Sequence, residues 1–172
     1  MALFIEHGYD AVTVADIAKQ AGLTKRSFFN HFADKREVMF AAADAFEARV
    51  LDALGRADPE LEPLDAAVWA YSKAAEPLGD YPDLARARGA LIESSAELQE
   101  RNLMKMASMT AKVAELLGAR GASPREAAFV SQAATTIFTT AVDDWVQQPE
   151  HGLDAAIRNA LSEFRSALGA AV

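Results

Sequence analysis

Apolar residues recur every three or four positions along the chain, and this spacing constrains the fold more than any other feature. Between regularly placed glycines and prolines, the segments are rich in Ala, Leu, Glu and Arg, which favour helix. No stretch shows the alternation of Val, Ile or Thr with polar residues that a half-buried strand requires. The sequence therefore predicts an all-α protein with helices at about 1–7, 14–21, 25–31, 35–54, 64–76, 83–94, 96–117, 124–147 and 153–168.

Composition narrows the class of protein further. The chain has 172 residues, 51% of them hydrophobic, which is enough for a sizeable core. It has no cysteine, which excludes disulfides, thiolate metal ligands and a cysteine nucleophile. No apolar run approaches the roughly 20 residues that span a bilayer, and the N-terminus lacks the basic region of a signal peptide. We expect a soluble, cytoplasmic protein without membrane contact, and neither a cofactor nor a metal ion is expected.

The charge is unevenly distributed. The net charge is -8, yet residues 1–36 hold five basic and four acidic groups. The other basic and acidic groups leave residues 37–172 strongly acidic. Acidic surfaces often serve only solubility, but here only the first 36 residues could tolerate a polyanion.

The segment TVADIAKQAGLTKRSFFNHFADKREV, from Thr13 to Val38, predicts a helix-turn-helix at about 13–32. Two short amphipathic helices flank Gly22. On the second, Phe28 shares an apolar face with a later Phe, and Arg26 and Asn30 lie on another face. Arg can bond guanine bidentately and Asn can bond adenine in the major groove, so this segment indicates DNA binding.

The same segment resembles the TetR (tetracycline repressor) family of transcriptional regulators. The resemblance is carried by Gly8-Tyr9, Thr13-Val14-x-Asp16-Ile17-Ala18, Ala21-Gly22-Leu23-Thr24, Phe28-Phe29-Asn30-His31-Phe32 and Lys35. It implies a ligand-responsive regulator, most often a repressor, that binds a palindromic DNA operator as a homodimer. The family's DNA-contacting positions carry over to Thr13, Thr24, Lys25, Arg26, Ser27, Phe29, Asn30, His31 and Lys35. Three features depart from the family: position 29 is usually Tyr, position 26 is often small, and the first helix is short.

The chain then divides into a DNA-binding head, residues 1–36, and a helical effector-binding and dimerisation body, residues 37–172. The body is rich in apolar, sulfur-containing and aromatic residues, so the expected effector is a largely apolar small molecule. The predicted pocket residues are Trp69, Tyr71, Met104, Met106, Met109, Phe138 and Thr139. Arg86, Arg88 and Arg101 leave room for a single carboxylate at the rim.

Small and apolar residues on the last two helices predict a dimer interface, since small residues let helices approach closely. The candidates are Ala127, Ala134, Ala141, Ile157, Leu161 and Phe164. The alternative is that these residues only close the core of one chain.

Other functions fit the sequence less well. Ser27, His31 and Asp34 could be imagined as a catalytic trio, but nothing supplies an oxyanion hole, so an enzyme is not expected. The scattered histidines do not suggest a zinc site. The alternative function is an all-helical ligand-binding or interaction module that has lost DNA binding.

Overall fold

The computed structural model describes residues 1–169 and confirms the all-α prediction for that part of the chain. The helices are α1 (Ala2–His7), α2 (Val14–Gln20), α3 (Lys25–Phe29), α4 (Lys35–Arg56), α5 (Pro63–Ala75), α6 (Pro82–Glu93), α7 (Ala96–Ala119), α8 (Pro124–Gln147) and α9 (Leu153–Gly169). Short 3-10 turns at Glu76–Leu78 and Pro149–His151 follow α5 and α8. No helix within residues 1–169 is long and apolar enough to cross a membrane.

Local sequence signals explain where several helices begin. A reciprocal capping box links Ser123 and Glu126 at the start of α8, and the Asp34 carboxylate accepts two backbone N–H bonds at the start of α4. Proline occupies the first turn of α5, α6 and α8, where its missing N–H costs nothing. Gly22 has φ of +67° in the turn after α2, a conformation that glycine adopts without strain.

Some helix ends differ from the sequence prediction. Helix α3 ends at Phe29, because the His31 N–H bonds to the Phe28 carbonyl three residues back and so tightens the chain into a turn. Asn30 and His31 therefore follow the helix instead of belonging to it. Helix α4 runs through Gly55 to Arg56, since an isolated glycine weakens a helix without necessarily ending it.

Two apolar clusters hold the helices together. The larger lies in the body and consists of residues of α4, α5, α7, α8 and α9. The smaller, which we call the junction cluster, consists of Phe4, Tyr9, Val12, Met39, Phe40, Leu91, Ile92 and Leu98. It joins α1 and the following loop to the first half of α4, the end of α6 and the start of α7. The head is thus packed directly on the body, with α4 shared by both.

Candidate nucleic-acid interface

Helix α2 is fixed at its start by Thr13 and Asp16. The Thr13 backbone N–H donates to Asp16 Oδ2 at 2.9 Å, and the Thr13 hydroxyl donates to the same oxygen at 2.6 Å. The Asp16 N–H in turn donates to Thr13 Oγ1 at 3.3 Å. These hydrogen bonds lower the pKa of the Asp16 carboxyl. Thr13 is exposed, and its hydroxyl caps the helix.

Helix α3 is capped by Thr24 and anchored by Phe28. Thr24 Oγ1 accepts from the Ser27 N–H at 3.1 Å and lies 3.0 Å from Ser27 Oγ. The Phe28 side chain is buried and contacts the Phe29 and Phe32 rings, with centroids 5.4 Å away in each case. Burial of this one ring determines which face of α3 turns outward.

The outward face carries most of the residues predicted to contact DNA. Lys25, Arg26, Asn30 and His31 are exposed, and Phe29 is 55% exposed. The ammonium of Lys25 and the guanidinium of Arg26 have no ion-pair partner within residues 1–169. Thr24 is also exposed at the start of the helix, whereas Ser27 is half-buried. The arrangement can offer two unpaired cations, an amide and an imidazole to a polyanion.

Lys35 departs from its predicted role. Its ammonium donates to the carbonyls of Tyr9 at 3.0 Å and Val12 at 3.2 Å, and it lies 4.1 Å from the centroid of the Tyr9 ring. The side chain is half-buried. In this position Lys35 satisfies loop carbonyls and fastens the segment after α1 to the start of α4. Its ammonium group is therefore hydrogen-bonded within the head and is not a free cation.

A residue that the sequence analysis did not include is Lys19. It is exposed on the last turn of α2, next to the buried Ala18, and it has no ion-pair partner within residues 1–169. The helical spacing around Ala18 was the signal that could have placed Lys19 outward. With Lys25 and Arg26 it makes three unpaired cations on the head.

Asp34 and Arg36, which follow α3 in the chain, form an ion pair. Arg36 Nη2 donates to Asp34 Oδ2 at 2.6 Å, and this pairing lowers the pKa of the Asp34 carboxyl. Arg36 Nε also lies 3.1 Å from Glu97 Oε1 at the start of α7. Asp34 therefore pairs with Arg36, and Ser27 Oγ lies 3.0 Å from Thr24 Oγ1; within residues 1–169 neither side chain is hydrogen-bonded to His31, the third member of the trio considered from the sequence.

Further ion pairs join α4 to α7 beside this pair. Glu37 pairs with Arg101 at 2.7 Å, Asp44 with Lys105 at 2.5 Å, and Glu47 with Lys112. A cavity of about 580 Å³ lies between the chain that follows α3 and these helices, lined in part by His31, Asp34, Arg36 and Arg101. The chain that follows α3 is therefore next to a polar, charged contact between α4 and α7.

The body brings together part of the predicted pocket. The Tyr71 ring stacks on Phe138 with centroids 5.0 Å apart, and Phe138 stacks on Phe46 at 5.1 Å. Tyr71 Oη lies 2.9 Å from Thr135 Oγ1, which lies 3.0 Å from the Thr110 hydroxyl. Burial raises the pKa of Tyr71. This buried aromatic stack with its line of hydroxyls was predicted only in part, since Thr110 and Thr135 were not identified from the sequence.

The remaining predicted pocket residues differ in burial. Met109 is buried, and Met106 and Thr139 are half-buried. Trp69 and Met104 are instead on the surface, 37% and 56% exposed, so they do not line this buried group. Met104 is five residues before Met109, which turns it about 140° away on a helix.

The residues predicted to form the dimer interface fall into a buried group and a half-buried group. Ala127, Ala134, Ala141 and Ile157 are at most 3% exposed and belong to the body core of one chain. They are therefore inaccessible to a partner, and the alternative weighed for them, closing the core of one chain, fits their positions. Leu161 and Phe164 are half-buried at its edge. The most exposed large apolar side chains on α8 and α9 are Phe129 and Leu168, 65% and 59% exposed.

Comparison with known proteins extends these observations. Residues 1–42 match the model described as bacterial regulatory proteins, tetR family, and residues 61–169 match the MftR C-terminal domain. The chain is 30% identical over 127 residues to the HTH-type transcriptional regulator TcmR of Streptomyces glaucescens, covering 70% of this chain and 56% of that protein. It thus spans little more than half the length of that relative.

A solved structure is similar in fold. The TetR family transcriptional regulator PfmR from Thermus thermophilus superposes with a TM-score of 0.50 at 22% identity, covering 92% of this chain and 90% of the other. At that identity the likeness concerns the fold alone.

Proposed function

The chain belongs to the TetR family of bacterial transcriptional regulators, and from that premise we propose that it represses transcription by binding a palindromic DNA operator as a homodimer. In this proposal a small effector bound in the body releases the operator. The observation that carries the DNA-binding part is the exposed face of α3, where Lys25 and Arg26 have no ion-pair partner within residues 1–169.

The charge distribution supports this orientation on DNA. The strongly acidic body would be repelled by phosphates, so the head must meet the duplex and hold the body away. The exposed Thr13 and Thr24, at the starts of α2 and α3, suit phosphate contacts, while Arg26 and Asn30 suit base edges. Lys19 adds a further candidate phosphate contact on the neighbouring helix.

The dimer in this proposal uses the outer faces of α8 and α9. Leu161, Phe164 and Leu168 recur at the helical spacing on α9, and Phe129 is exposed on α8. Apolar side chains with such exposure gain free energy by burial against a second copy. A two-fold pair of heads would then meet two operator half-sites about one helical turn apart.

The effector site in this proposal lies around the Tyr71–Phe138 stack. The side chains there are aromatic, and the few polar groups are hydrogen-bonded to one another, a composition that suits largely apolar ligands. Binding there acts on DNA affinity only if the ligand prefers one of two separations of the heads.

The test is a mobility-shift assay with the DNA that flanks the chain's own coding region. We expect a saturable shift at low salt that weakens steeply between about 50 and 200 mM salt, because phosphate contacts release counterions. The matched control is Lys25→Ala with Arg26→Ala, which should abolish the shift without altering the fold. A chain that shifts no duplex at low salt would instead be a ligand-binding module without DNA binding.

A further inference from the structure

Three arginines of α6 and α7 were considered from the sequence as partners for a carboxylate, and the structure distinguishes them by their contacts. Arg86 Nη1 pairs with Asp83 at 2.6 Å, and its Nη2 donates to the Val146 carbonyl. Arg101 pairs with Glu37 at 2.7 Å. Arg88 has no carboxylate partner within residues 1–169. Of the three, only Arg88 has a positive charge that residues 1–169 leave without a carboxylate partner.

Arg88 is also placed in apolar surroundings. Its guanidinium carbon lies 5.4 Å from the centroid of the Phe40 ring, which is fully buried in the junction cluster. Leu91 and Ile92 follow Arg88 by three and four residues and are buried on the same face of α6. Arg86, two residues earlier, is turned about 200° away and is exposed. Burial without a nearby negative charge lowers the pKa of Arg88.

An arginine kept in this position is costly for the fold, because a partly buried cation loses hydration and regains little of it from one aromatic ring. Such a cost is expected where the missing negative charge comes from a ligand. The planar guanidinium offers parallel N–H donors that match a carboxylate or phosphate group.

We propose that Arg88 is the anion-binding residue for the effector, and that the effector is an organic anion whose carboxylate or phosphate group pairs with Arg88. This places the anionic group beside the junction cluster, not within the Tyr71–Phe138 stack of the body core. This assignment rests on the proposed effector response and specifies its chemistry. It replaces the sequence-based expectation, which was a largely apolar ligand with room for one carboxylate at the rim.

The experiment uses the full chain and pairs of compounds that differ in charge but hardly in shape. The probes are benzoate with benzamide, indole-3-acetate with indole-3-acetamide, and octanoate with octanamide, and octyl phosphate and inorganic phosphate separate the two anionic groups. Thermal unfolding is followed at constant ionic strength for the wild type, Arg88→Gln, Arg88→Lys and the control Arg86→Gln. At least one organic anion should raise Tm where its neutral counterpart does not.

The variants then identify the residue responsible. Arg88→Gln should weaken binding of that anion on the order of 10- to 100-fold, as expected for the loss of charged hydrogen bonds. Arg88→Lys should retain part of the binding, and Arg86→Gln should retain all of it. If no anion is distinguished from its neutral counterpart, or if Arg88→Gln binds it as well as Arg86→Gln does, the assignment is wrong.

A second measurement needs no ligand. Arg88→Met keeps a side chain of similar length but removes the uncompensated charge, so the ligand-free protein should gain about 2–4 °C in Tm. A fall in Tm would show that the guanidinium stabilises the fold and would overturn the assignment. Both measurements are made without DNA. If the chain binds no operator, the proposed regulation is refuted, and the role of Arg88 is still decided by the measurements above. If those measurements refute the role of Arg88, operator binding is unaffected.

Discussion

Replacing Lys35 by Met should destabilise the DNA-binding head without removing a DNA contact. The ammonium of Lys35 donates to the carbonyls of Tyr9 and Val12 and lies against the Tyr9 ring. Methionine keeps most of the aliphatic stem but leaves both carbonyls without this donor. The change therefore isolates the charged hydrogen bonds from the packing of the side chain.

The size of the effect follows from those contacts. A hydrogen bond to a charged group contributes about 1.5–3 kcal/mol, and a cation–π contact adds about 0.5–1 kcal/mol where the cation is exposed and about 2 kcal/mol where it is desolvated. Lys35 is only half-buried, so water replaces part of each interaction and screens the charge. We expect a net loss of about 2 kcal/mol, which raises the population of the opened head about 30-fold.

Native-state hydrogen exchange measures this directly. Amides of α2 and α3 should lose about 30-fold in protection in Lys35→Met, while amides of α8 should change little. The control is Lys25→Met, which removes an exposed cation without an ion-pair partner in residues 1–169 and should leave protection unchanged. In DNA binding, Lys25→Met should reduce the salt slope by about one per half-site and Lys35→Met should not. The reasoning would be refuted by unchanged protection together with a reduced salt slope in Lys35→Met.

Three further predictions concern the head and the proposed dimer. Arg26→Ala should cost on the order of 1–3 kcal/mol at one base pair of each half-site and relax specificity there; a uniform loss over all operator variants, measured by competition binding, would assign Arg26 to phosphate. Asp34→Asn keeps the helix cap but removes the charge that pairs with Arg36. Because pairing lowers the pKa of folded Asp34, its contribution is present above the unfolded pKa of about 4 and is lost as pH falls through the folded pKa. The wild-type advantage over Asp34→Asn in Tm should therefore vanish in acid, and an advantage independent of pH would contradict it. Phe129→Asp should convert a dimer to a monomer in light scattering, whereas Leu103→Asp, at an equally exposed position on α7, should not; a dimer that persists in Phe129→Asp would exclude that part of α8 from the interface.

The features that the sequence predicts well are the local ones. Thr13 and Thr24 cap α2 and α3, and such caps can be predicted from sequence because each depends on residues within one turn. The apolar side of α3 was likewise evident from Phe28 and its neighbours. The family resemblance, which rests on the same short segment, is confirmed by the match over residues 1–42.

Non-local contacts explain what the sequence did not reveal. The hydrogen-bond partners of Lys35 lie 23 and 26 residues earlier in the chain. No residue adjacent to Lys35 in sequence therefore indicated that its ammonium group is hydrogen-bonded within the head. Small residues such as Ala134 indicate close helix approach but not which helix approaches, and here it is one of the same chain. Met104 shows that residue type without helical phase is a poor guide to a pocket.

The most direct test of the central claim is selection of binding sites from a pool of random duplexes by the full chain. The account predicts enrichment of a two-fold symmetric sequence with half-sites about 10 base pairs apart or a multiple of that spacing. Repeating the selection with Arg26→Ala should relax one symmetric pair of positions and leave the others enriched. If the wild type enriches no sequence at low salt, or enriches one that Arg26→Ala and Lys25→Ala leave unchanged, then the exposed face of α3 does not read DNA.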